Sequence, residues 1–134
     1  MGIEHPAPEE LPSEQVAILV PYGSLFFTAA PVFEDGLPKA DNTRYAAVIL
    51  VLRGRKELGS TFLGVVDRYN KILKANDSKL LLAGVSMEVR RQLVHSGLLQ
   101  EIGRENIYMA SELYGESILE ANEAGKKWID EVTQ

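Results

Sequence analysis

Residues 48–69 of this chain read VILVLRGRKELGSTFLGVVDRY. The strand part of this stretch, within Tyr45–Leu52, is apolar and β-branched without polar alternation, which predicts a central strand covered on both faces. From Phe62 onward, apolar residues recur at helical spacing and predict an amphipathic helix that stops at Asn76–Asp77. Its apolar stripe consists of Phe62, Val65, Val66, Tyr69, Ile72 and Leu73. A buried strand, a short loop and an amphipathic helix in this order indicate an α/β fold.

This helix opens on a pair of hydroxyl residues, Ser60 and Thr61, directly after Gly59. The first turn of a helix has N–H groups without intrahelical partners, and it carries the positive end of the helix dipole. These properties favour a hydroxyl cap, a bound anion or a phosphate on the hydroxyl itself. Ser60 and Thr61 are therefore predicted phosphorylation sites. The predicted anion- or nucleotide-binding residues are Arg53, Arg55, Lys56, Gly59, Ser60 and Thr61.

Simpler interpretations of the same residues stay open. Ser60 also fits an ordinary N-cap, whose replacement by alanine costs about 1 kcal/mol. Arg53, Arg55 and Lys56 would add charge-assisted hydrogen bonds to an anion, and they also fit a solvated loop. Under each interpretation, the segment is typical of a switch more than of a catalytic centre.

The composition of the chain excludes several classes of protein and of binding site. The chain has 134 residues, 46% of them hydrophobic, which is enough for one domain with its own core. The 14 basic and 19 acidic residues give a net charge of −5, so no nucleic-acid partner is predicted. The absence of cysteine excludes disulfides and thiolate metal sites. The longest apolar run, Tyr45–Leu52, is much shorter than the ~20 residues that a membrane-spanning helix needs.

Strands and helices are predicted to alternate along the chain. Residues 1–14, rich in proline and glutamate, are predicted as a solvated linker, and residues 15–134 as the domain. Besides the central strand, strands are predicted at Val16–Val20, Lys79–Val85 and Ile107–Met109. Further helices are predicted after Ser86, ending at Ser96–Gly97, and after a cap at Ser111, with Tyr114 on the apolar face. This order predicts an α/β fold, a small and mostly parallel β-sheet with helices packed mainly on one side.

The chain shows no catalytic constellation. The two histidines, His5 and His95, lie far apart and lack a metal-ligand spacing. One face of the last helix carries carboxylates at Glu116, Glu120, Glu123 and Asp130, a pattern typical of a solvated surface. The glycines form neither a phosphate-binding loop nor a dinucleotide motif. No catalytic residue, metal or cofactor is predicted, and an enzyme is the least favoured class.

Three local patterns carry a resemblance to a known family. They are Tyr22–Phe27, Gly59–Val66, and Leu82–Val85 followed by Leu93 and Ser96–Leu98. In this order and spacing the chain resembles a STAS domain over about residues 15–131. This fold is shared by bacterial anti-sigma-factor antagonists and by the cytoplasmic C-terminal part of SulP-type anion transporters.

The resemblance distinguishes two branches of that family. In the antagonists, an Asp-Ser-Ser/Thr-Gly sequence opens the helix and its first serine is phosphorylated. The matching positions here are Gly59, Ser60, Thr61 and Phe62, so the acid and the final glycine are absent. The passage Gly23–Phe27 is more similar to the transporter version of the domain.

The resemblance therefore implies a noncatalytic, cytoplasmic regulatory domain of a SulP-type sulfate or bicarbonate transporter. The domain would sense an anion, a nucleotide, phosphorylation or a protein at the helix that opens at Ser60. Its partners would be the transmembrane part of its own transporter and a cytoplasmic regulatory protein or nucleotide, with a homodimer formed through the transporter. The alternative is a freestanding anti-sigma-factor antagonist that acts by a phosphorylation-controlled partner switch.

Overall fold

A parallel sheet organises the computed structural model, which describes residues 10–20, 37–52, 57–111 and 115–134. Its strands are β1 (Val16–Leu19), β2 (Ala47–Val51), β3 (Lys79–Val85) and β4 (Ile107–Met109). The strands lie in the order β1-β2-β3-β4, and each neighbouring pair is parallel. The predicted α/β class with a small parallel sheet is confirmed.

Helices cover both faces of this sheet. They are α1 (Ser60–Ala75), α2 (Met87–Ser96), α3 (Leu98–Ile102) and α4 (Glu116–Val132), with a 3₁₀ turn at Arg104–Asn106. One core places α1, α2 and α3 against the face of β2 that carries Val48 and Leu50. A smaller core places α4 against the opposite face, with Ala47, Ile49 and Val51. Within the described residues, three of the four α-helices therefore share one side.

The strand β2 is buried along its whole length. Each residue of Ala47–Val51 exposes 3% or less of its surface. Alternate side chains enter the two cores, which is why the sequence shows a continuous apolar run and no alternation. The predicted central strand is confirmed, but it begins at Ala47, because Tyr45 has a left-handed φ of 56° and donates its N–H to the carbonyl of Asp77 at 3.2 Å.

The start of α4 differs from the prediction. The N-cap is Gly115, with φ +83°, and the first helical residue is Glu116, so the predicted cap at Ser111 is wrong. The left-handed conformation, which glycine adopts without strain, separates β4 from the helix. Ser117 then ties the helix to the sheet, because its Oγ accepts the N–H of Gly84 at 3.0 Å, where the β3–β4 register shifts. Tyr114 lies outside the described residues.

The first described residues pack onto the domain. Leu11 is buried and donates its N–H to the carbonyl of Lys39 at 2.8 Å. The hydroxyl of Thr43 donates to the carbonyl of Leu11, and Glu14 donates its N–H to the carbonyl of Arg44 at 3.1 Å. Residues 10–14 therefore lie against residues 39–44, while the boundary between linker and domain stays a prediction. Residues 1–9 lie outside the described part.

None of the helices in the described segments is long and apolar enough to cross a membrane.

Two helical glycines differ in the space around them, and this difference gives a stability test. A Cβ on Gly125 of α4 would lie 3.2 Å from both the Cβ of Ala47 and a methyl of Val16. A Cβ on Gly64 of α1 would meet only the mobile tip of Arg68, at 3.2 Å. We expect Gly64→Ala to raise the free energy of unfolding by up to about 1 kcal/mol through helix propensity. Gly125→Ala should lower it by about 1 kcal/mol, because the strands cannot move away easily.

Urea unfolding of the two variants and the parent checks this expectation. Each variant is the control for the other, since both make the same chemical change inside a helix. An equal stabilisation by both substitutions would contradict the close packing of α4 on β1 and β2.

Tyr69 links α1 to the segment before β2, and it gives a second test. Its hydroxyl donates to the carbonyl of Pro38 at 2.8 Å, and burial raises the pKa of Tyr69 above its usual range. We expect Tyr69→Phe to cost about 1 kcal/mol at neutral pH, because the buried carbonyl loses its donor. The fold favours the neutral hydroxyl, so this stabilisation is complete below about pH 10 and is lost as pH rises toward the raised pKa.

The difference in unfolding free energy between parent and Tyr69→Phe should therefore shrink above about pH 10. Urea unfolding at neutral and alkaline pH measures it, with Tyr45→Phe as a control that leaves Tyr69 in place. Parallel pH profiles for the parent and Tyr69→Phe would contradict the assignment.

Candidate functional site

The predicted site begins where α1 starts, at the carboxyl edge of the sheet. Gly59 is the N-cap, in an extended conformation, and no side chain caps the helix. Ser60 is the first helical residue and Thr61 the second, and both are exposed. The interpretation of Ser60 as an N-cap is therefore wrong, because the backbone of Gly59 takes that position. Ser60 is thus exposed at the first position of the helix, and its hydroxyl does not cap that helix.

The electrostatics of this helix start suit an anion. The first intrahelical bond runs from the N–H of Leu63 to the carbonyl of Gly59, at 3.0 Å. The backbone N–H groups of Ser60 and Thr61 precede it and lie at the positive end of a 16-residue helix. The first turn contains no acidic residue that would compete with an anion.

The rest of α1 is held firmly in the core. The residues that anchor α1 are all buried, with exposures of 6% or less, and they are Leu58, Phe62, Val65, Val66 and Tyr69. Phe62 directly follows the exposed pair and is fully buried. The helix therefore presents Ser60 and Thr61 from a rigid base.

The loop before the helix is fixed by α2. The Nε2 of Gln92 donates to the carbonyl of Leu58 at 2.6 Å, and the Oε1 accepts the N–H of Leu58 at 2.8 Å. Within α2, the Oγ of Ser86 accepts the N–H of Val89 at 3.1 Å, which confirms the predicted N-cap. Gly97, in the left-handed conformation, ends the helix where the sequence predicted.

A groove lies beside Ser60, between the exposed side of α1 and the corner that joins α2 to α3. It encloses about 470 Å³. Its lining residues are Ser60, Leu63, Gly64, Asp67, Lys71, Ser96, Gly97, Leu98 and Glu101. Leu63 and Leu98 supply apolar surface, while Lys71 pairs with Asp67 at 3.1 Å on the rim. Gly64 leaves this groove open one turn after Ser60.

Sequence reasoning missed the groove. Its signal in α1 was the helical spacing of Ser60, Gly64, Asp67 and Lys71, which share one face. Its other wall comes from the α2–α3 corner, which only the fold brings next to α1.

Of the predicted site residues, Gly59, Ser60 and Thr61 lie together at the start of α1. Arg53, Arg55 and Lys56 lie outside the described residues, so their role stays a prediction. His95 is exposed in the last turn of α2 and does not line the groove. Across residues 10–20, 37–52, 57–111 and 115–134, no group of three or more acidic or histidine side chains could hold a metal.

A separate cluster of titratable groups lies on the α4 side. The Nζ of Lys79 lies 5.1 Å from the centre of the Trp128 ring. Burial lowers the pKa of Lys79, and the carboxylates of Glu105 and Glu131 oppose this shift. Burial also raises the pKa of Tyr108, and nearby carboxylates add to that effect. These contacts connect α4 with the sheet on the face opposite α1.

Comparison with known proteins adds the family. A solved structure titled as a sulfate transporter family protein from Wolinella succinogenes superimposes with a TM-score of 0.66, over 86% of this chain and 88% of that chain. The two share 21% sequence identity, so the likeness shows a common fold. Among curated protein sequences, none matches this chain. Residues 8–114, from before β1 to beyond β4, match the family model described as STAS domain. Because this match covers most of the chain, the protein belongs to the STAS domain family.

Proposed function

We propose that this chain is a noncatalytic regulatory domain of a SulP-type anion transporter of the sulfate or bicarbonate class. It would lie on the cytoplasmic side of the membrane and act on the transmembrane part of its own transporter. Membership of the STAS family and the fold shared with a sulfate transporter family protein support this assignment. The proposed input is an anion, a nucleotide, a phosphate or a protein at the start of α1.

The proposed location of this input rests on one observation. Ser60 and Thr61 are the exposed first residues of a long helix whose following residue, Phe62, is fully buried. An anion at this position would meet backbone N–H donors and the positive helix end without any rearrangement of the core. The preceding loop is predicted to add positive charge through Arg53, Arg55 and Lys56.

The groove beside Ser60 supports a second feature of the proposal. A phosphate or bound anion at Ser60 would lie at one end of a surface that also carries Asp67 and Lys71. A change of charge there alters what the surface can bind, because a partner must complement the charges of the surface that it covers. A ligand at Ser60 would thus regulate a protein contact rather than undergo a reaction.

A two-dimensional NMR titration tests the input site. Sulfate, bicarbonate, phosphate and a nucleotide are added separately at constant ionic strength. We expect shifts confined to residues 53–63, since the donors and the basic residues lie there. Arg55→Gln should weaken the response several-fold, while Lys127→Gln, a matched loss of charge on the exposed side of α4, should leave it unchanged. Shifts confined to other residues, or none with any of the four anions, would refute the proposed site.

The transporter assignment has a test of its own. The coding sequence upstream of this segment should specify ten or more apolar spans. A gene without them would refute the transporter proposal and favour the alternative.

The alternative is a freestanding anti-sigma-factor antagonist with a phosphorylation-controlled partner switch. The exposed hydroxyl of Ser60, which takes no part in capping, favours this function because a kinase could reach it. Added phosphate charge would then break a protein interface.

Mass spectrometry of the protein from its native cells tests this alternative. We expect a phosphate on Ser60 that Ser60→Ala abolishes, since the hydroxyl is the acceptor. Ser96→Ala, which removes an exposed hydroxyl on the other wall of the groove, should retain it. If Ser60 carries no phosphate in cells that express the cognate kinase, the phosphorylation switch is excluded.

A further inference from the structure

A single carboxamide joins the loop before α1 to the middle of α2. Gln92 both donates to and accepts from the backbone of Leu58, at 2.6 and 2.8 Å. Leu58 precedes Ser60 by two residues, whereas Gln92 lies 34 residues beyond Leu58 in the sequence. One side chain thus satisfies both polar groups of one backbone residue, as a neighbouring strand would.

The two hydrogen bonds between Gln92 and Leu58 resist a displacement of Leu58 relative to α2. The side chain of Leu58 is 2% exposed and belongs to the same core as Phe62, while Gln92 is half-buried. A displacement of residue 58 would break two hydrogen bonds at once and leave polar groups away from water. A shift of the Ser60 segment therefore either moves α2 with it or loses both bonds.

The far end of α2 reaches the groove. Ser96 lies four residues, or about 6 Å, along the helix from Gln92. Ser96, Gly97 and Leu98 form the wall of the groove that faces α1. One helix therefore contacts the Ser60 loop at its middle and the groove at its end.

We propose that Gln92 is the positioning residue that transmits a change of charge at Ser60 to the groove wall formed by the α2–α3 corner. A negative group on Ser60 alters the position of the Leu58–Gly59 backbone, and the paired hydrogen bonds carry this displacement into α2. This inference rests on the proposed role of Ser60 as the input. Beyond that role, it names the contact through which a charge at Ser60 would change the groove.

The test compares the effect of Ser60→Glu in different backgrounds, which isolates the coupling as a mutant cycle. Amide chemical shifts and hydrogen exchange are recorded for residues 58–63 and 92–98. In the otherwise unchanged protein, Ser60→Glu should alter both segments. In the Gln92→Ala background, the response of residues 92–98 should be lost, because both hydrogen bonds to Leu58 are absent.

Two further variants separate transmission from stability. Gln92→Met keeps the length of the side chain without its hydrogen bonds, and it should abolish the response as Gln92→Ala does. Ser117→Ala removes a buried side-chain bond to the backbone N–H of Gly84 on the α4 side, so it matches the loss of a bond and should leave the response intact. Urea unfolding of each variant checks that it is folded before its response is compared.

The proposal is overturned if Ser60→Glu alters residues 92–98 as strongly in the Gln92→Ala and Gln92→Met backgrounds as in the protein that keeps Gln92. It is also overturned if Ser60→Glu affects only residues 58–63 in the protein that keeps Gln92. These outcomes do not depend on a ligand. An absence of anion binding, with the coupling intact, would instead refute only the proposed ligand at Ser60.

Discussion

The burial of β2 on both faces is the constraint on which the rest of the structure depends. A strand whose residues are all 3% exposed or less requires a layer of helices on each side. The helices α1, α2 and α3 supply one layer, and α4 supplies the other. The position of α1 follows from this requirement, since Phe62, Val65 and Val66 must reach the sheet. The exposed start of α1 is then fixed at the carboxyl edge, where Ser60 is presented.

Fixing that edge requires polar contacts in addition to apolar burial. The backbone of Leu58 would be left without partners where the chain turns from β2 into α1, and Gln92 satisfies both of its groups. At the same edge, the hydroxyl of Ser86 caps α2, and Ser117 satisfies Gly84 where the ladder is irregular. Side chains thus supply hydrogen bonds to the backbone at these three places, and this holds the adjoining loops and helices in position.

Much of the fold could be predicted because its causes are local. Apolar runs and helical spacing identified β2 and α1, and the Ser86 cap followed from side-chain chemistry within three residues. The cap at Ser111 failed because serine is common in turns, whereas the left-handed Gly115 decides where α4 begins. Residues 10–14 resembled a linker because backbone groups tie Leu11 to Lys39, and such bonds leave no side-chain pattern.

The site was predictable in part for the same reason. The exposed pair at Ser60 and Thr61 follows from the strand-loop-helix order. The N-cap at Gly59 was missed because an extended glycine backbone can take the position that the sequence offers to serine. The groove and the Gln92 contact depend on α1 and α2 being neighbours, although 34 residues separate Leu58 from Gln92. Information of that range is absent from any local pattern.

Because all strands of the described sheet run in the same direction, the domain has an amino edge and a carboxyl edge at opposite ends. The first residue of β1, Val16, lies at the amino edge of the sheet and packs close to Gly125 of α4. Ser60 follows β2 and lies at the carboxyl edge, so the length of the sheet, about 15 Å for strands of four or five residues, separates the two. A polypeptide that enters through β1 is therefore attached at the amino edge, at the end of the sheet opposite the start of α1. Any anchor joined to β1 would thus be separated from Ser60 by the length of the sheet.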